Sequence, residues 1–215
     1  MPNSHNIQKA IRELIPPLEI IFRYFDFNEQ NALAKWEEKM FTGRVAYWID
    51  FENSGGFVHS KSENSASAIF YRIKFNIRDY PYLSWKWRIG RFPNKSHTQE
   101  PKKRDDFAAR IYVVFVSRFF TSFRCVEYVW DESLPEGTAL KSPYSNRIKQ
   151  LVVQSGPVRG DEWVKEKQNV FDDYQKLFGE PPKMKVAAIA LMTDSEGTGG
   201  EAEGFFDDIQ IGKES

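Results

Sequence analysis

The sequence predicts an all-β fold, an antiparallel β-sandwich of the jelly-roll kind with one flanking α-helix and an apolar N-terminal extension. Aromatic residues make up 15% of the 215 residues, and aromatic side chains are enriched in strands. From residue 40 onward, segments with strand composition follow one another without the helical crossovers that parallel strands need. These observations favour antiparallel strands in two packed sheets.

The N-terminal residues 1–30 are predicted to form an extension ahead of a single sandwich domain, residues 31–215. Two prolines at 16–17 end a short amphipathic helix predicted over residues 5–15, whose apolar positions include Ile7, Ile11 and Leu14. The segment 18–27 is apolar and aromatic, and neither helix nor strand is indicated for it. Exposing this surface costs about 25 cal/mol per Å². The extension is therefore expected to pack on its own domain, on a protein partner or second copy, or on a membrane surface.

Nine strands are predicted, with turn-rich or charged loops between them, at residues 41–51, 56–61, 68–77, 83–89, 107–116, 125–130, 147–154, 185–193 and 205–211. An α-helix is predicted over residues 164–178, because its apolar positions form one stripe and Gly179 follows as a stop signal. The strand at 185–193 is apolar on both faces, so we expect it to be central in its sheet.

The composition excludes several classes of protein. Thirty basic and thirty acidic residues balance, so the sequence predicts no nucleic-acid partner, since such binding depends on excess positive charge. Cys125 is the single cysteine, which rules out an internal disulfide and a thiolate zinc site. No apolar run is long enough for a transmembrane segment. Without a recognisable signal peptide the chain is expected to be cytoplasmic, or periplasmic or in the envelope if a leader has been removed.

Several short motifs together resemble a known bacterial family. They are Leu-Ser-Trp-Lys-Trp-Arg-Ile at 83–89, Asp-Asp-Phe-Ala-Ala-Arg-Ile-Tyr-Val-Val-Phe at 105–115, Asn146-Arg147, Gln154-Ser155-Gly156, Asp173-Tyr174, Leu177-Phe178-Gly179 and Met192-Thr193-Asp194-Ser195. The family is domain of unknown function 3047, and the resemblance covers roughly residues 33–211. It implies a galactose-binding-like or related jelly-roll sandwich. Because the family has no established activity, it implies no catalytic residues. Members often look exported, and this chain departs from that pattern.

The strand at 107–116 and the residues before it carry a polar face. Asp106, Arg110 and Tyr112 alternate with apolar residues and so lie on one side of the strand. The same polar surface is predicted to include Lys86, Arg88, Glu127 and Asp194. Planar donors, carboxylate acceptors and an aromatic ring are groups that grip sugar hydroxyls or an acidic sugar. The alternative is a structural ion-pair network lying under a loop or the helix.

The function predicted from this face is non-catalytic binding of a carbohydrate or another polar polymer. One alternative is an interaction or scaffold subunit of a protein assembly, including a homo-oligomer formed through residues 1–30. Another is a carbohydrate-active hydrolase using two cross-strand carboxylates, such as Asp106 with Glu127. Nothing in the spacing selects that pair. Trp85 and Trp87 alternate with Leu83 and Ile89, so the two tryptophans are expected in the core rather than on a sugar-stacking surface.

The last predicted strand contains two adjacent acids, Asp207 and Asp208. By alternation Asp207 shares a face with Phe205, Ile209 and Ile211, so its carboxylate is expected near the core and needs compensation. This strand is also similar to the closing strand of many carbohydrate-binding modules, where an acid at this place often helps to hold structural calcium. A calcium ion is one candidate for the compensating group, and an arginine partner or a strand-end turn is the other. No other cofactor is predicted.

Overall fold

In the residues that the structure describes, two β-sheets pack face to face in a sandwich, and one short α-helix flanks them. The computed structural model describes residues 20–119, 121–157 and 162–214. The helix predicted over residues 5–15 lies outside the described residues. The all-β sandwich predicted from the sequence is confirmed.

The six-stranded sheet runs in the order β11-β6-β13-β4-β3, and β1 also pairs with β13. Its strands are β1 (Ile20–Phe25), β3 (Ala46–Glu52), β4 (Gly55–Glu63), β6 (Tyr82–Arg91), β11 (Val164–Asn169) and β13 (Glu201–Lys213).

The seven-stranded sheet runs in the order β2-β5-β12-β7-β8-β10-β9. Its strands are β2 (Glu37–Thr42), β5 (Ala66–Phe75), β7 (Arg110–Val116), β8 (Phe123–Asp131), β9 (Ala139–Lys141), β10 (Ile148–Ser155) and β12 (Lys185–Asp194). The strand pairs of both sheets are antiparallel, apart from β8 with β10, which run parallel. The prediction that residues 185–193 form a central strand is confirmed, because β12 lies between β5 and β7.

Large aromatic side chains fill the space between the sheets. Trp85 and Trp87 of β6 are fully buried, and their ring centroids lie 5.2 Å apart. Across the core, Trp85 contacts Tyr128 at 5.4 Å and Trp87 contacts Trp130 at 5.6 Å. These contacts confirm that the two tryptophans of β6 belong to the core.

The helix α1 is Val170–Phe178, which is shorter than predicted. Residues 164–169 form β11 and pair with β6. The helix begins after Asn169, whose side chain accepts a hydrogen bond from the backbone N–H of Asp172, a normal N-terminal cap. Gly179 ends the helix in the left-handed conformation, with φ of 74°, as the sequence predicts. Residues 164–169 contain one apolar residue, Val164, so no hydrophobic alternation indicates a strand there, and the pairing with β6 decides the conformation.

Other element boundaries differ where a turn was not recognised. The strand predicted over residues 41–51 is two strands, β2 and β3, separated by a turn at Gly43, where φ is 61°. The short strand β9 was also not predicted.

Part of the predicted extension belongs to the six-stranded sheet. β1 pairs antiparallel with the C-terminal half of β13, from Ile20 opposite Lys213 to Phe25 opposite Ile209. One edge of β1 is thus hydrogen-bonded to a strand of the sandwich. The boundary at residue 30 stays a prediction. No helix in the described ranges is long and apolar enough to cross a membrane.

Candidate functional site

Arg110 is the centre of a buried network of charges on the outer side of the seven-stranded sheet. Its Nη1 lies 2.9 Å from Glu127 Oε1, and its Nε donates to Asp194 Oδ1 at 2.8 Å. Nη2 binds Asp194 Oδ2 and the Asp105 carbonyl oxygen. Arg110 is 3% exposed and Glu127 and Asp194 are 1% exposed. The adjacent strands β8, β7 and β12 bring these side chains together.

Two loops cover this network. The loop before β7 packs the ring of Phe107 against the guanidinium of Arg110, 4.6 Å away. Asp106 reaches the loop between β12 and β13, where its carboxylate accepts the backbone N–H groups of Gly197 and Thr198 at 3.2 and 2.7 Å. The ligand-binding face predicted around Asp106, Arg110, Tyr112, Glu127 and Asp194 is therefore closed to a polymer. The cluster has the form of the structural network that the sequence left as the alternative.

Burial also changes the chemistry of the acids in this cluster. Loss of solvent raises the pKa of Glu127 to about 7, against the opposing attraction of Arg110. Gln150 donates to the nearby Asp105 at 2.7 Å. Since both Asp106 and Glu127 are buried and hydrogen-bonded within the protein, the cross-strand pair considered for glycoside hydrolysis is out of reach of a substrate.

Three acids of this region could in principle hold a cation. Carboxylate oxygens of Asp106, Asp194 and Glu196 lie within 4.8 Å of one another. Burial and the neighbouring Asp106 raise the pKa of Glu196 to about 7. However, Asp194 is already bound to Arg110 and Asp106 to backbone N–H groups. Protein donors thus fill most of the positions a cation would need.

Lys86 and Arg88 do not join the Arg110 network. They belong to β6 in the six-stranded sheet, whereas Arg110 belongs to β7 in the other sheet. The loop of residues 92–109 carries the chain from one sheet to the other. The outward side of β6 consequently faces away from the outward side of β7, which corrects the prediction of one common polar surface.

On the outer face of the six-stranded sheet, side chains of four neighbouring strands form a row across the sheet. Trp48 pairs with His59, His59 with Phe205 and Phe205 with Arg88 in the strand register. Directly paired residues project on the same face. The Trp48 and His59 rings are 3.9 Å apart, and the His59 and Phe205 rings 4.4 Å apart. The Arg88 guanidinium lies 4.4 Å from the Phe205 ring and 4.9 Å from that of Trp163. We call these five side chains the aromatic row.

Acidic side chains lie beside the aromatic row. His59 Nδ1 is 3.3 Å from Asp50 Oδ2, and its Nε2 is 2.7 Å from Glu203 Oε1. Arg88 Nη2 donates to Glu52 Oε1 at 2.8 Å. The Asp50 side chain is 50% exposed and that of Glu52 is 38% exposed. Acceptors reachable from solvent thus flank the rings.

Most of this face was not predicted from the sequence. Of the aromatic row, the sequence predicted only Arg88 as a site residue, together with its neighbour Lys86 on the same strand. The alternation of Trp48, Asp50 and Glu52 along one strand was the available signal. That alternation does not indicate which strands flank β3, so it does not place His59, Phe205 or Arg88 in line with Trp48.

The two acids of β13 lie at a register shift near this face. The ladder between β13 and β6 shifts between Asp207 and Gln210, and Asp208 has φ of 50°. This irregularity reverses the alternation, so Ile209 and Ile211 are core residues while Phe205 lies on the outer face. The prediction that Phe205, Asp207 and Ile209 share a face is therefore wrong.

Asp207 and Asp208 have different surroundings, which bear on how well a calcium ion would fit there. The Asp208 carboxylate binds the ammonium of Lys86 and accepts the hydroxyl of Tyr24. Lys86 thus supplies the positive charge that calcium would supply. Asp207 Oδ1 is buried without a hydrogen-bond partner, and burial raises the pKa of Asp207 to about 7. The residues present fit a lysine partner better than a calcium ion, which needs about six oxygen ligands.

Replacing Asp207 with asparagine is expected to stabilise the protein above neutral pH. The folded-state pKa of Asp207 is about 7 and the ordinary value is 3.8. The contribution of this carboxyl to the stability of the folded protein is therefore fully present below about pH 4 and is lost as the pH rises through 7. Asparagine cannot ionise. The free energy of unfolding at pH 8 should rise by about 1–2 kcal/mol, after allowing for partial solvent screening, and much less at pH 5. Urea denaturation at both pH values measures this.

Asp79 is exposed, so Asp79→Asn removes the same charge from the surface and serves as the control. Little change in its free energy of unfolding is expected at either pH. A calcium site would give the opposite result. In that case Asp207→Asn would lower the melting temperature, and EDTA would lower that of the unaltered protein.

A family model described as "Protein of unknown function (DUF3047)" matches residues 34–210, which confirms the resemblance found in the motifs. No curated protein matches the chain.

Three solved carbohydrate-binding modules are similar to this chain. The Clostridium thermocellum family 11 module, in complex with a β-1,3-1,4-mixed-linked tetrasaccharide, is 9% identical, with a TM-score of 0.48, over 91% of this chain and 95% of that one. The mannan-recognising module TmCBM27 is 11% identical, with a TM-score of 0.41 and coverage of 91% and 98%. TmCBM61, in complex with β-1,4-galactotriose, is 13% identical, with a TM-score of 0.42 and coverage of 89% and 99%.

Proposed function

Because this chain belongs to the family of unknown function DUF3047, whose description names no activity, we propose its function from the geometry of the aromatic row. The protein binds a carbohydrate chain, without catalysis, on the outer face of its six-stranded sheet. The observation that carries this proposal is the continuous row from Trp48 to Arg88 and Trp163, flanked by exposed acids.

The chemistry of the row suits a sugar. A pyranose ring has an apolar face that packs on aromatic rings and an edge of hydroxyl groups that donate and accept hydrogen bonds. In the row, Trp48 is 37% exposed and offers a platform. The carboxylates of Asp50 and Glu52 accept from hydroxyl groups, and the buried guanidinium of Arg88 holds Glu52 in place through a charge-assisted hydrogen bond. Apolar surface with a few placed polar groups is typical of ligand sites.

The dimensions of the row favour a chain of several sugars over a single one. Trp48, His59, Phe205 and Arg88 lie on four neighbouring strands, and three spacings of 4.7–4.9 Å span about 14 Å. A single sugar ring would cover only part of this length. The row crosses the strands, so the bound chain is expected to run across the sheet.

Binding to polysaccharides tests the proposal. We expect the protein to bind at least one soluble polymer in a panel of mixed-linked glucan, mannan, galactan and xyloglucan, measured by calorimetry. Trp48→Ala should weaken that binding at least tenfold, which is about 1.4 kcal/mol. Phe51→Ala is the matched control, because Phe51 is also an exposed aromatic residue of β3, at 48%, but contributes no ring to the row.

Two results would reject the proposal. One is the absence of binding to every polymer and to a broad glycan array by the folded protein. The other is equal loss of binding in the Trp48 and Phe51 variants, which would place the sugar elsewhere. A melting temperature close to that of the unaltered protein confirms that each variant is folded.

An interaction or scaffold subunit is the second candidate, and one observation favours it. The edge strand β2 exposes Met40 and Phe41, each at 61%. Exposed apolar residues on an unpaired strand edge can pair with another chain. Two results together would support this candidate. The protein would show no glycan affinity, and its elution volume would depend on protein concentration and on the presence of the Phe41 side chain.

A further inference from the structure

A pocket at the side of the sandwich is not used by the proposed function. It lies between the start of β8, the residues before β10, the end of α1 and the segment after that helix, and its volume is about 400 Å³. This size is within the range of small-ligand sites. Three basic residues line it, Arg124, Arg147 and Lys183, together with one acid, Glu180.

Aromatic rings hold the two arginines in place. The Arg124 guanidinium lies 4.8 Å from the ring of Phe178, and its Nη1 donates to the Tyr174 hydroxyl at 3.0 Å. The Arg147 guanidinium lies 5.7 Å from the ring of Phe123. Cations stacked on rings lose less freedom on binding, because they are already positioned.

Glu180 shows which chemistry these cations prefer. One of its carboxylate oxygens is 2.8 Å from Arg124 Nη1, and the other is 2.8 Å from Lys183 Nζ. Both hydrogen bonds lower the pKa of Glu180 below its ordinary value, that from Lys183 more than that from Arg124. A carboxylate of the protein itself thus lies between two of the three cations, and the lining keeps a net charge of about +2 from three cations and one acid.

We propose that this pocket binds the oxyanion group of a small ligand, a carboxylate or a phosphate. Arg124 and Arg147 hold the anionic group, and the rings of Phe123 and Phe178 pack against the body of the ligand. Arginine suits this task because its planar donors match the geometry of a carboxylate or phosphate. Glu180 competes with the ligand for the same cations. This inference is independent of the aromatic row.

Titrations with three related sugars test it. Glucuronate and glucose 6-phosphate carry the two anionic groups on similar rings, and glucose is the neutral counterpart. In two-dimensional ¹H–¹⁵N NMR at low salt we expect saturable shifts of pocket residues with at least one anion and none with glucose. A preference between the two anions identifies the group as carboxylate or phosphate. Added salt should weaken binding, because exposed charges are screened.

Variants locate the site and test the role of Glu180. Arg147→Gln should weaken anion binding at least fivefold, whereas Glu180→Gln should strengthen it several-fold by removing the competing carboxylate. Arg44→Gln is the control, because it removes the same charge at a residue that pairs with Glu38 and does not line the pocket. Equal binding of glucose, no saturable shift with either anion, or no effect of Arg147→Gln would overturn the proposal. Weaker binding in Glu180→Gln would contradict the role given to that residue.

Discussion

Replacing Arg110 with alanine is expected to lower the free energy of unfolding by about 3–5 kcal/mol. Arg110 lies among Asp105, Glu127 and Asp194, all of them buried. Alanine would remove the positive charge and leave three carboxyl groups in a region of low dielectric. In a domain of this size the melting temperature should fall by on the order of 10 °C. Urea denaturation and a thermal melt measure the effect.

The loss should also depend on pH. Burial already raises the pKa of Glu127 to about 7, and removal of Arg110 takes away the charge that opposes this rise. Groups with a raised folded-state pKa lose stability as the pH increases through that value. We therefore expect the Arg110 variant to be more damaged at pH 8 than at pH 5.

Arg44→Ala is a control of the same residue type. Its side chain is 75% exposed, and it pairs with Glu38 at 2.9 Å, so the expected cost is at most about 1 kcal/mol. If Arg110→Ala instead left the stability unchanged and abolished glycan binding, the binding face originally predicted around Arg110 would be correct and the structural role would be rejected.

Replacing Gly204 with alanine is the second change with a large expected effect, about 2–3 kcal/mol of destabilisation. A Cβ atom on Gly204 would lie 2.2 Å from the carbonyl oxygen of Ala108. That oxygen also accepts the hydroxyl of Thr193 at 2.7 Å, and the Gly204 carbonyl accepts that of Ser60 at 2.8 Å. The obstructing atom belongs to the backbone, so the residues around this contact would have to move together.

Gly200→Ala provides the matched control a few residues away. A Cβ atom at Gly200 would meet nothing within 4 Å, and a change within about 0.5 kcal/mol is expected. Equal stability of the two alanine variants in urea would contradict this prediction. It would show that the Ala108 carbonyl oxygen leaves room for a Cβ atom at Gly204.

Local patterns predicted the elements whose signals are contained in a few residues. Alternation placed Trp85 and Trp87 in the core and Arg110 on the opposite side of its strand, since successive side chains of a strand point to opposite faces. Gly179 marked the end of the helix, because it adopts a left-handed conformation there. The same rule failed at Asp207, where a register shift changes the alternation. A shift of this kind depends on the partner strand.

The sequence by itself determined the all-β class, the core tryptophans and the polar side of β7. Only the tertiary structure decided that loops cover Arg110, that Arg88 lies on the other sheet, and that Trp48, His59, Phe205 and Arg88 form one row. The physical reason is the range of the interactions. Side-chain alternation follows from the geometry of one strand, whereas strand neighbours and covering loops follow from the packing of residues that are far apart in the chain, such as His59 with Phe205 and Asp106 with Thr198.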